Sequence, residues 1–332
     1  MNTPQNLLLL YTGGTIGMTM SDAGLVPASG FEARLRAEQA RHPECPLPAW
    51  RFHELSPPID SANMRQANWL AMRDAIIGAL DSGCDGILVL HGTDTLAYSA
   101  AALSFLLLSI EVPVLLTGSM LPAGSPDSDA WPNLFGALAA LAAGCPPGVH
   151  LYFNGQLLHG ARASKLKSEA FDAFADNARP RHGSRAGTLP ASLHYRQSRR
   201  PVAIAVLPLF PGVDARQLGA LLDSGIEALL LECYGSGTGP ADDAGFLAAL
   251  RAARARGVVL AAISQCPQGH VDFATYAAGS ALARAGLVGG AGMSREAALG
   301  KLFSLIGSGL TQAEVERLFT LDLCGELADA AQ

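Results

Sequence analysis

The six cysteines of this chain, Cys45, Cys84, Cys145, Cys233, Cys266 and Cys324, stand far apart with no C-x-x-C pair among them. Neither a zinc knuckle nor a redox dithiol is encoded, and reduced, mostly buried thiols are expected. Basic charge is also scarce: 23 Lys and Arg against 29 Asp and Glu leave a formal net charge of −6. With no Lys/Arg cluster interleaved with aromatics, no field is available to hold a polyanion, which argues against nucleic acid as a partner. Long apolar runs are missing too. The apolar-rich stretch at residues 95–110 includes polar residues and falls short of the ~20 apolar residues of a membrane span, so it reads as a buried helix and no membrane association is expected. Near the N-terminus the apolar run 7–11 has no positive residue ahead of it; the secretory signal pattern is absent and a cytoplasmic location is expected. No repeat of fixed period and no low-complexity tract occurs, which removes the repeat architectures.

What is present describes an α/β enzyme. Hydrophobic residues make up 49% and charged residues 16%, with 36 glycines for tight turns. At 332 residues the chain exceeds the size at which one core keeps growing, so two domains are expected. Short apolar runs recur at 7–11, 86–90, 113–117, 149–153, 202–207, 228–231 and 258–263. Between them, residues 63–82, 96–109, 129–143, 214–224, 242–256, 273–284 and 294–307 carry apolar residues at helical spacing, several starting at Asp, Asn or Ser as helix N-caps do. The alternation predicts mostly parallel sheets covered by helices. Residues 179–200 (RPRHGSRAGTLPASLHYRQSRR) break the pattern with proline, glycine and scattered arginine. They are read as a linker between a larger domain at 1–178, with helices on both faces of its sheet, and a smaller parallel-sheet domain at 201–332.

Three segments could carry chemistry. Tyr11-Thr12-Gly13-Gly14-Thr15-Ile16-Gly17 follows the first apolar run directly. In an open parallel sheet ligands bind at the carboxyl ends of strands, and glycines there let backbone approach a ligand closely; the competing reading is an ordinary strand-to-helix turn. The glycine intervals do not meet G-x-G-x-x-G, which sets a dinucleotide aside. His91-Gly92-Thr93-Asp94-Thr95 likewise follows a strand and precedes a helix. It offers two hydroxyls and a carboxylate to one ligand, although Asp94 or Thr95 could equally be a plain N-cap. His91 has no His or carboxylate at ligand spacing and reads as a hydrogen-bonded core residue rather than a metal ligand. The third segment is Arg162-Ala163-Ser164-Lys165; a lysine near a sheet crevice can be desolvated into a usable proton acceptor. Lys167 reads as solvated, the usual fate of lysine.

Taken together, these motifs resemble the bacterial asparaginase/glutaminase family. The resemblance runs along nearly the whole chain: YTGGTIGM at 11–18, HGTDTLAYSAAALSFLL at 91–107, LTGSMLP at 116–122, RASK at 162–165, FDAF at 171–174, CYGSG at 233–237 and AGLVGGAGMSREAALGKL at 285–302. The absent signal pattern and the Asp60-Ser61 pair point to its type I, cytoplasmic branch. The resemblance implies hydrolysis of the L-asparagine side-chain amide without metal or cofactor, with L-glutamine or D-asparagine as weak alternative substrates. Thr15 becomes the nucleophile; Thr93, Asp94 and Lys165 form a proton-handling group; Asp60 and Ser61, with Thr93 and Asp94, hold the amino-acid head group. It also implies an intimate homodimer, extending to a tetramer, in which a neighbouring subunit's smaller domain closes the site.

Two departures stand out. The family keeps a tyrosine in the loop after the nucleophile where this chain has Leu25, which cannot hydrogen-bond a threonine hydroxyl. Some type I relatives bind an effector asparagine through an arginine where this chain has Glu232, so no cooperative activation is expected. Two rival readings remain: the amidase subunit of a tRNA-dependent amidotransferase, which carries an extra N-terminal domain ahead of a motif that begins here at residue 12, and a non-catalytic amino-acid-binding protein that keeps the clamp but has lost the chemistry.

Overall fold

The computed structural model describes residues 3–22, 24–41, 48–176 and 183–327; Cys45 and positions 179–182 of the expected linker lie outside the described residues. The chain forms two compact units, Met1–Asp176 and Asn177–Gln332. The first unit contains, in order, β1 (Asn6–Gly13), β2 (Thr19–Ser21), β3 (Gly24–Val26), α1 (Phe31–Gln39), β4 (Ala49–Ile59), α2 (Gln66–Asp81), β5 (Gly86–Leu90), α3 (Leu96–Leu106), β6 (Pro113–Thr117), α4 (Ala130–Ala142), β7 (Gly148–Phe153), β8 (Gln156–His159), β9 (Ala163–Lys165) and β10 (Phe174–Asp176).

Six of these strands form one sheet in the order β4-β1-β5-β6-β7-β8, parallel except for the antiparallel edge β7–β8. Leu7, Leu9 and Tyr11 of β1, Leu88 and Leu90 of β5 and Leu115 of β6 face a core shared with Phe31 and Leu35 of α1 and Leu134, Leu138 and Leu141 of α4. The alternate residues Leu8, Leu10, Ile87, Val89, Val114 and Leu116 are buried too and point to the opposite face by the strand's period of two. There α2 and α3 pack, against β1 and against β6 and β7. Burial on both faces is what makes these strands continuous apolar runs in the sequence. β4 has no such run. It lies at the sheet edge with an alternating burial pattern and contains Pro57 and Pro58, residues that an edge tolerates because an outward N–H pairs with nothing. The short strands β2, β3, β8, β9 and β10 and the helix α1 also lie outside the expected set.

The second unit runs β11 (Ile204–Pro208), α5 (Ala215–Leu222), β12 (Ala228–Cys233), α6 (Ala244–Ala255), β13 (Val259–Ser264), α7 (Ala277–Arg284), β14 (Val288–Gly289), α8 (Arg295–Gly307) and α9 (Gln312–Phe319). Its four strands are parallel, in the order β11-β12-β13-β14. The starts of α5, α6, α8 and α9 are fixed by side-chain caps from Asp214, Asp243, Ser294 and Thr311, each satisfying backbone N–H groups that the helix itself cannot. α9 is an addition to the expected helices. Residues 183–200 belong with this unit: Arg185 bridges Asp322 and Leu193 is fully buried. Of the cysteines, Cys84, Cys145 and Cys233 are buried, Cys324 is partly so, and Cys266 is exposed.

A fully buried ion pair ties down the end of this unit. Lys301 of α8 reaches Glu326 at 2.6 Å with neither side chain exposed, and its ammonium also donates to the Phe319 carbonyl at 2.9 Å. Burial pushes the Glu326 carboxyl up, but the Lys301 charge and backbone donors outweigh it and hold the carboxyl well below the usual range. Lys301→Met strands that carboxylate without its partner. The loss is expected to be about 3–5 kcal/mol, since removing one member leaves a buried charge unpaired. Urea unfolding followed by a probe in the second unit measures it; a loss under about 1 kcal/mol would mean the pair is not holding the segment in place.

Candidate active site

Strand order places the site. Leaving β1, the chain goes to one neighbour, β4, and then crosses β1 to reach β5 on the other side. This reversal is the topological switch point of an open α/β sheet, and the crevice at the carboxyl ends of such strands is where ligands bind. The three segments that emerge there carry Asp60-Ser61 after β4, Thr15 after β1 and Thr93-Asp94 after β5.

They are forced together by backbone rather than by side chains. Gly14 has φ of 85°, and a Cβ built on it would lie 2.3 Å from the Cα and N of Gly92. A Cβ on Gly92 would in turn lie 2.5 Å from the Ser61 hydroxyl. No residue but glycine fits at either position. Hydrogen bonds lock the contact: Gly14 N to Ile59 O at 3.1 Å, the Thr12 hydroxyl to Leu90 O at 2.9 Å and the Thr95 hydroxyl to Ser61 O at 2.9 Å. Thr95 occupies the N-cap position of α3 but makes no side-chain cap; its hydroxyl joins β4 to β5 instead. Ser61 and Thr93 are buried, Thr15 and Asp60 half-buried, and Asp94 exposed. Asp60 accepts from Ala62 N through one carboxylate oxygen at 3.1 Å. Thr15 opens a single 3₁₀ turn, Thr15–Gly17, whose Ile16 carbonyl accepts from Ala123 N at 3.2 Å.

Lys165 arrives from outside the sheet. It lies on β9, which among the described residues pairs with β10 in an antiparallel ribbon, so Lys165 is not on a strand of the large sheet. β9 packs on α3, the helix that Thr93 and Asp94 precede, and this turns the lysine back toward them. Its Nζ donates to Thr93 Oγ1 at 3.0 Å and to Asp94 Oδ1 at 2.7 Å. The lysine side chain is 19% exposed and that of Asp94 66%. A pair this open adds little to stability; its consequence is geometric. Because Thr93 Oγ1 accepts from the ammonium, its own proton is free to be directed into the crevice, and the lysine can replace that proton as it is given up. Lys167, half exposed, pairs with Asp172 across the ribbon loop.

Several supporting groups were not legible as site residues. Asp129, expected as a plain helix start, accepts from Met120 N and Leu121 N and from Asn133 Nδ2. Asn133 also donates to Gly118 O and accepts from Asn154 N; together these fix the turn that follows β6. Leu25 pairs with Met20 in the β2–β3 hairpin and is 43% exposed. Glu232, at the end of β12, is buried with its carboxylate gripped by Arg295, whose Nη2 donates at 2.6 Å and whose Nε donates to the other oxygen. His91 is a core residue as expected, with both ring nitrogens engaged: Nδ1 donates to Gly92 O at 2.7 Å and Nε2 accepts from the Ser99 hydroxyl at 2.8 Å. Trp69 Nε1 donates to that same hydroxyl at 2.8 Å.

Burial pushes the His91 imidazole down to about 4, against a small opposing effect of its bond to Gly92. The native state therefore holds the ring neutral while the unfolded chain protonates it near 6.5. Its contribution to stability is complete above about pH 6.5 and is lost as pH falls toward about 4, to the extent of roughly 3 kcal/mol. Nitrogen-15 spectra of histidine-labelled protein should show one Nδ1–H imidazole unchanged from pH 8 to about pH 5.5. A ring assigned to His91 that titrates near 6.5 would refute the buried neutral state.

Residues 6–198 match the family described as Asparaginase, N-terminal, and residues 203–319 match the Glutaminase/Asparaginase C-terminal domain. L-asparaginase 1 of Escherichia coli is 36% identical over 339 residues, covering 97% of this chain and 98% of that protein. The crystal structure of L-asparaginase I from Vibrio cholerae superposes with a TM-score of 0.83 at 34% identity, covering 98% of this chain and 99% of that one. The thermostable L-asparaginase from Thermococcus kodakarensis superposes at 0.84 and 29% identity, covering 98% and 100%. With both domains matched and the similarity running the length of the chain, this protein belongs to the asparaginase family.

Proposed function

We propose that this chain is an L-asparaginase, an amidohydrolase that converts L-asparagine to L-aspartate and ammonia through an ester on Thr15. The observation that carries this reading is the Lys165–Thr93–Asp94 group set beside the Gly14–Gly92 contact, one residue along the chain from Thr15. A threonine hydroxyl is a poor nucleophile unless a neighbour takes its proton, and in this reading the Lys165–Thr93 pair fills that role.

The steps balance without a metal or cofactor. Thr15 Oγ1 attacks the side-chain amide carbon; the Lys165 ammonium passes a proton through Thr93 to the amide nitrogen and takes up the Thr15 proton in exchange. The tetrahedral intermediate collapses as the amide nitrogen takes a proton and leaves as ammonia. Water, deprotonated through the same group, then attacks the ester, and Thr15 recovers its proton as aspartate departs. Asp60 and Asp94 hold the substrate α-ammonium and Ser61 its α-carboxylate, which sets the reach from head group to amide. Asp60 is suited to this because one carboxylate oxygen is already anchored on Ala62 N. L-Glutamine and D-asparagine are weak alternative substrates in this reading. The working form is a cytoplasmic homo-oligomer, at least an intimate dimer. Among the described residues no helix is long and apolar enough to cross a membrane.

Thr15→Ala is expected to abolish ammonia release while asparagine still binds, because the attacking atom is lost and the head-group residues are not. Lys165→Met and Thr93→Val should each be crippling, and combining them should cost little more than the worse single change, since the residues act as a unit. Isothermal titration alongside turnover assays decides it; substantial turnover by Thr15→Ala would sink the nucleophile assignment.

Leu25→Tyr tests the family's missing hydroxyl. If a tyrosine there assists the nucleophile, kcat should rise more than about tenfold with little change in KM, since positioned proton transfer is worth 10²–10⁴-fold and acts in the transition state. An unchanged or lower kcat at saturating asparagine means the hairpin is built around leucine as an apolar cover.

Rate against asparagine concentration should be hyperbolic. The carboxylate of Glu232 would repel an effector's carboxylate, and it is already occupied by Arg295. A clearly sigmoidal curve contradicts this.

A further inference from the structure

The turn that carries Thr15 is held from below by groups the reaction does not use. Tyr11, near the end of β1, is fully buried, and its hydroxyl donates to Ala28 O at 3.0 Å. A Cβ on Gly17 would lie 1.9 Å from that hydroxyl oxygen, so the phenol sits directly against the backbone that closes the 3₁₀ turn. Arg34, in the first turn of α1, donates Nη1 to Gly17 O at 3.2 Å. Its guanidinium lies 5.3 Å from the centre of the Phe31 ring, and Phe31 stacks on Tyr11 with ring centres 5.2 Å apart. The two carbonyls from which the chain leaves and to which it returns around the β2–β3 hairpin, Gly17 and Ala28, are thus each pinned by one of these two side chains.

We propose that Tyr11 and Arg34 are positioning residues that set the height and orientation of the Thr15 turn in the crevice. The inference rests on Thr15 as the nucleophile. A single 3₁₀ turn has only the bonds Gly17 N to Gly14 O and Met18 N to Thr15 O, both 3.1 Å, to hold its shape. Bonds of that type have poor geometry, and one turn cannot sustain itself. The orientation of the threonine is therefore set by what grips the turn: Ala123 N on the Ile16 carbonyl, Arg34 on the Gly17 carbonyl, and the Tyr11 phenol beneath. The phenol keeps its proton for this task. Burial, reinforced by the Glu54 carboxylate and opposed by Arg34, pushes it up to about 12, so it remains a donor across the range in which the enzyme works.

Tyr11→Phe removes the hydroxyl and keeps the ring packing; Arg34→Met removes the donor and keeps the stem; Arg34→Lys keeps a cationic donor. The expected result is a kcat lower by roughly 10- to 100-fold in Tyr11→Phe and Arg34→Met, as follows from a small misplacement of a reacting group. KM should stay within about threefold because the head-group residues are untouched, and Arg34→Lys should recover most of the loss. Hydrogen exchange supplies a readout independent of chemistry: the amides of Gly17 and Met18 should exchange faster in Arg34→Met while those of β5 stay at wild-type rates. Wild-type kcat in both variants overturns the proposal, as does exchange that rises equally in β5, or an Arg34→Lys no better than Arg34→Met. Turnover of Thr15→Ala set beside exchange in Arg34→Met separates the two readings. Turnover surviving in Thr15→Ala removes the nucleophile, and with it the catalytic part of the proposal, whereas loss of turnover with unchanged exchange in Arg34→Met removes the clamp alone.

Discussion

The active site depends on a contact between two stretches of bare backbone, Gly14 against Gly92, at the carboxyl ends of neighbouring parallel strands. A side chain at Gly14 would wedge β1 from the backbone that follows β5, and one at Gly92 would press on the Ser61 side chain that follows β4. The Ser61 hydroxyl fills the third side of the same contact, so a single steric fact brings the segments that follow β4, β1 and β5 together. Glycine there loses more conformational freedom on folding than any other residue would. That cost is offset by the sheet on either side, which is apolar through both faces.

The sheet also explains why the chemistry is at its rim. Strands buried on both faces have no room for charged groups, so polar function is confined to the loops beyond their ends. The lysine does not come from such a strand. It is delivered by the separate β9–β10 ribbon packed on α3, which lets Lys165 touch Thr93 and Asp94 while its stem stays sheltered. The segment after β4 follows the same logic: β4 is the edge strand, and its more polar, proline-bearing sequence leads into Asp60 and Ser61.

Interior elements were readable in advance and edge elements were not. β1, β5 and β6 appear as apolar runs because both faces are covered, and α5, α6 and α8 begin at the Asp and Ser residues that cap them. β4 escapes such a reading because a half-exposed edge strand alternates and tolerates proline. The short ribbon strands hold too few residues to declare a period, whereas α9 carries its signal in the Thr311–Glu314 capping box and in Val315, Leu318 and Phe319 at helical spacing. Among the site residues, the threonines and the lysine stood out as motifs, whereas Asn133 and Asp129 did not. Their partners are backbone groups of other turns, and no local pattern marks a side chain whose partner is remote in sequence.

By itself the sequence determined the α/β class, the two sheets, the glycine-flanked threonines at strand ends and the family to which those motifs belong. These are properties of local period, composition and short motifs, and they survive without knowledge of neighbours. The tertiary structure decided which strands adjoin: that β4 inserts beside β1, that a ribbon rather than a sheet strand brings Lys165 to Thr93, that the Thr95 hydroxyl ties β4 to β5 instead of capping α3, and that Glu232 closes on Arg295. Each of these joins residues dozens of positions apart, and such pairings are settled only when competing ways of burying the same apolar surface are resolved by packing in three dimensions.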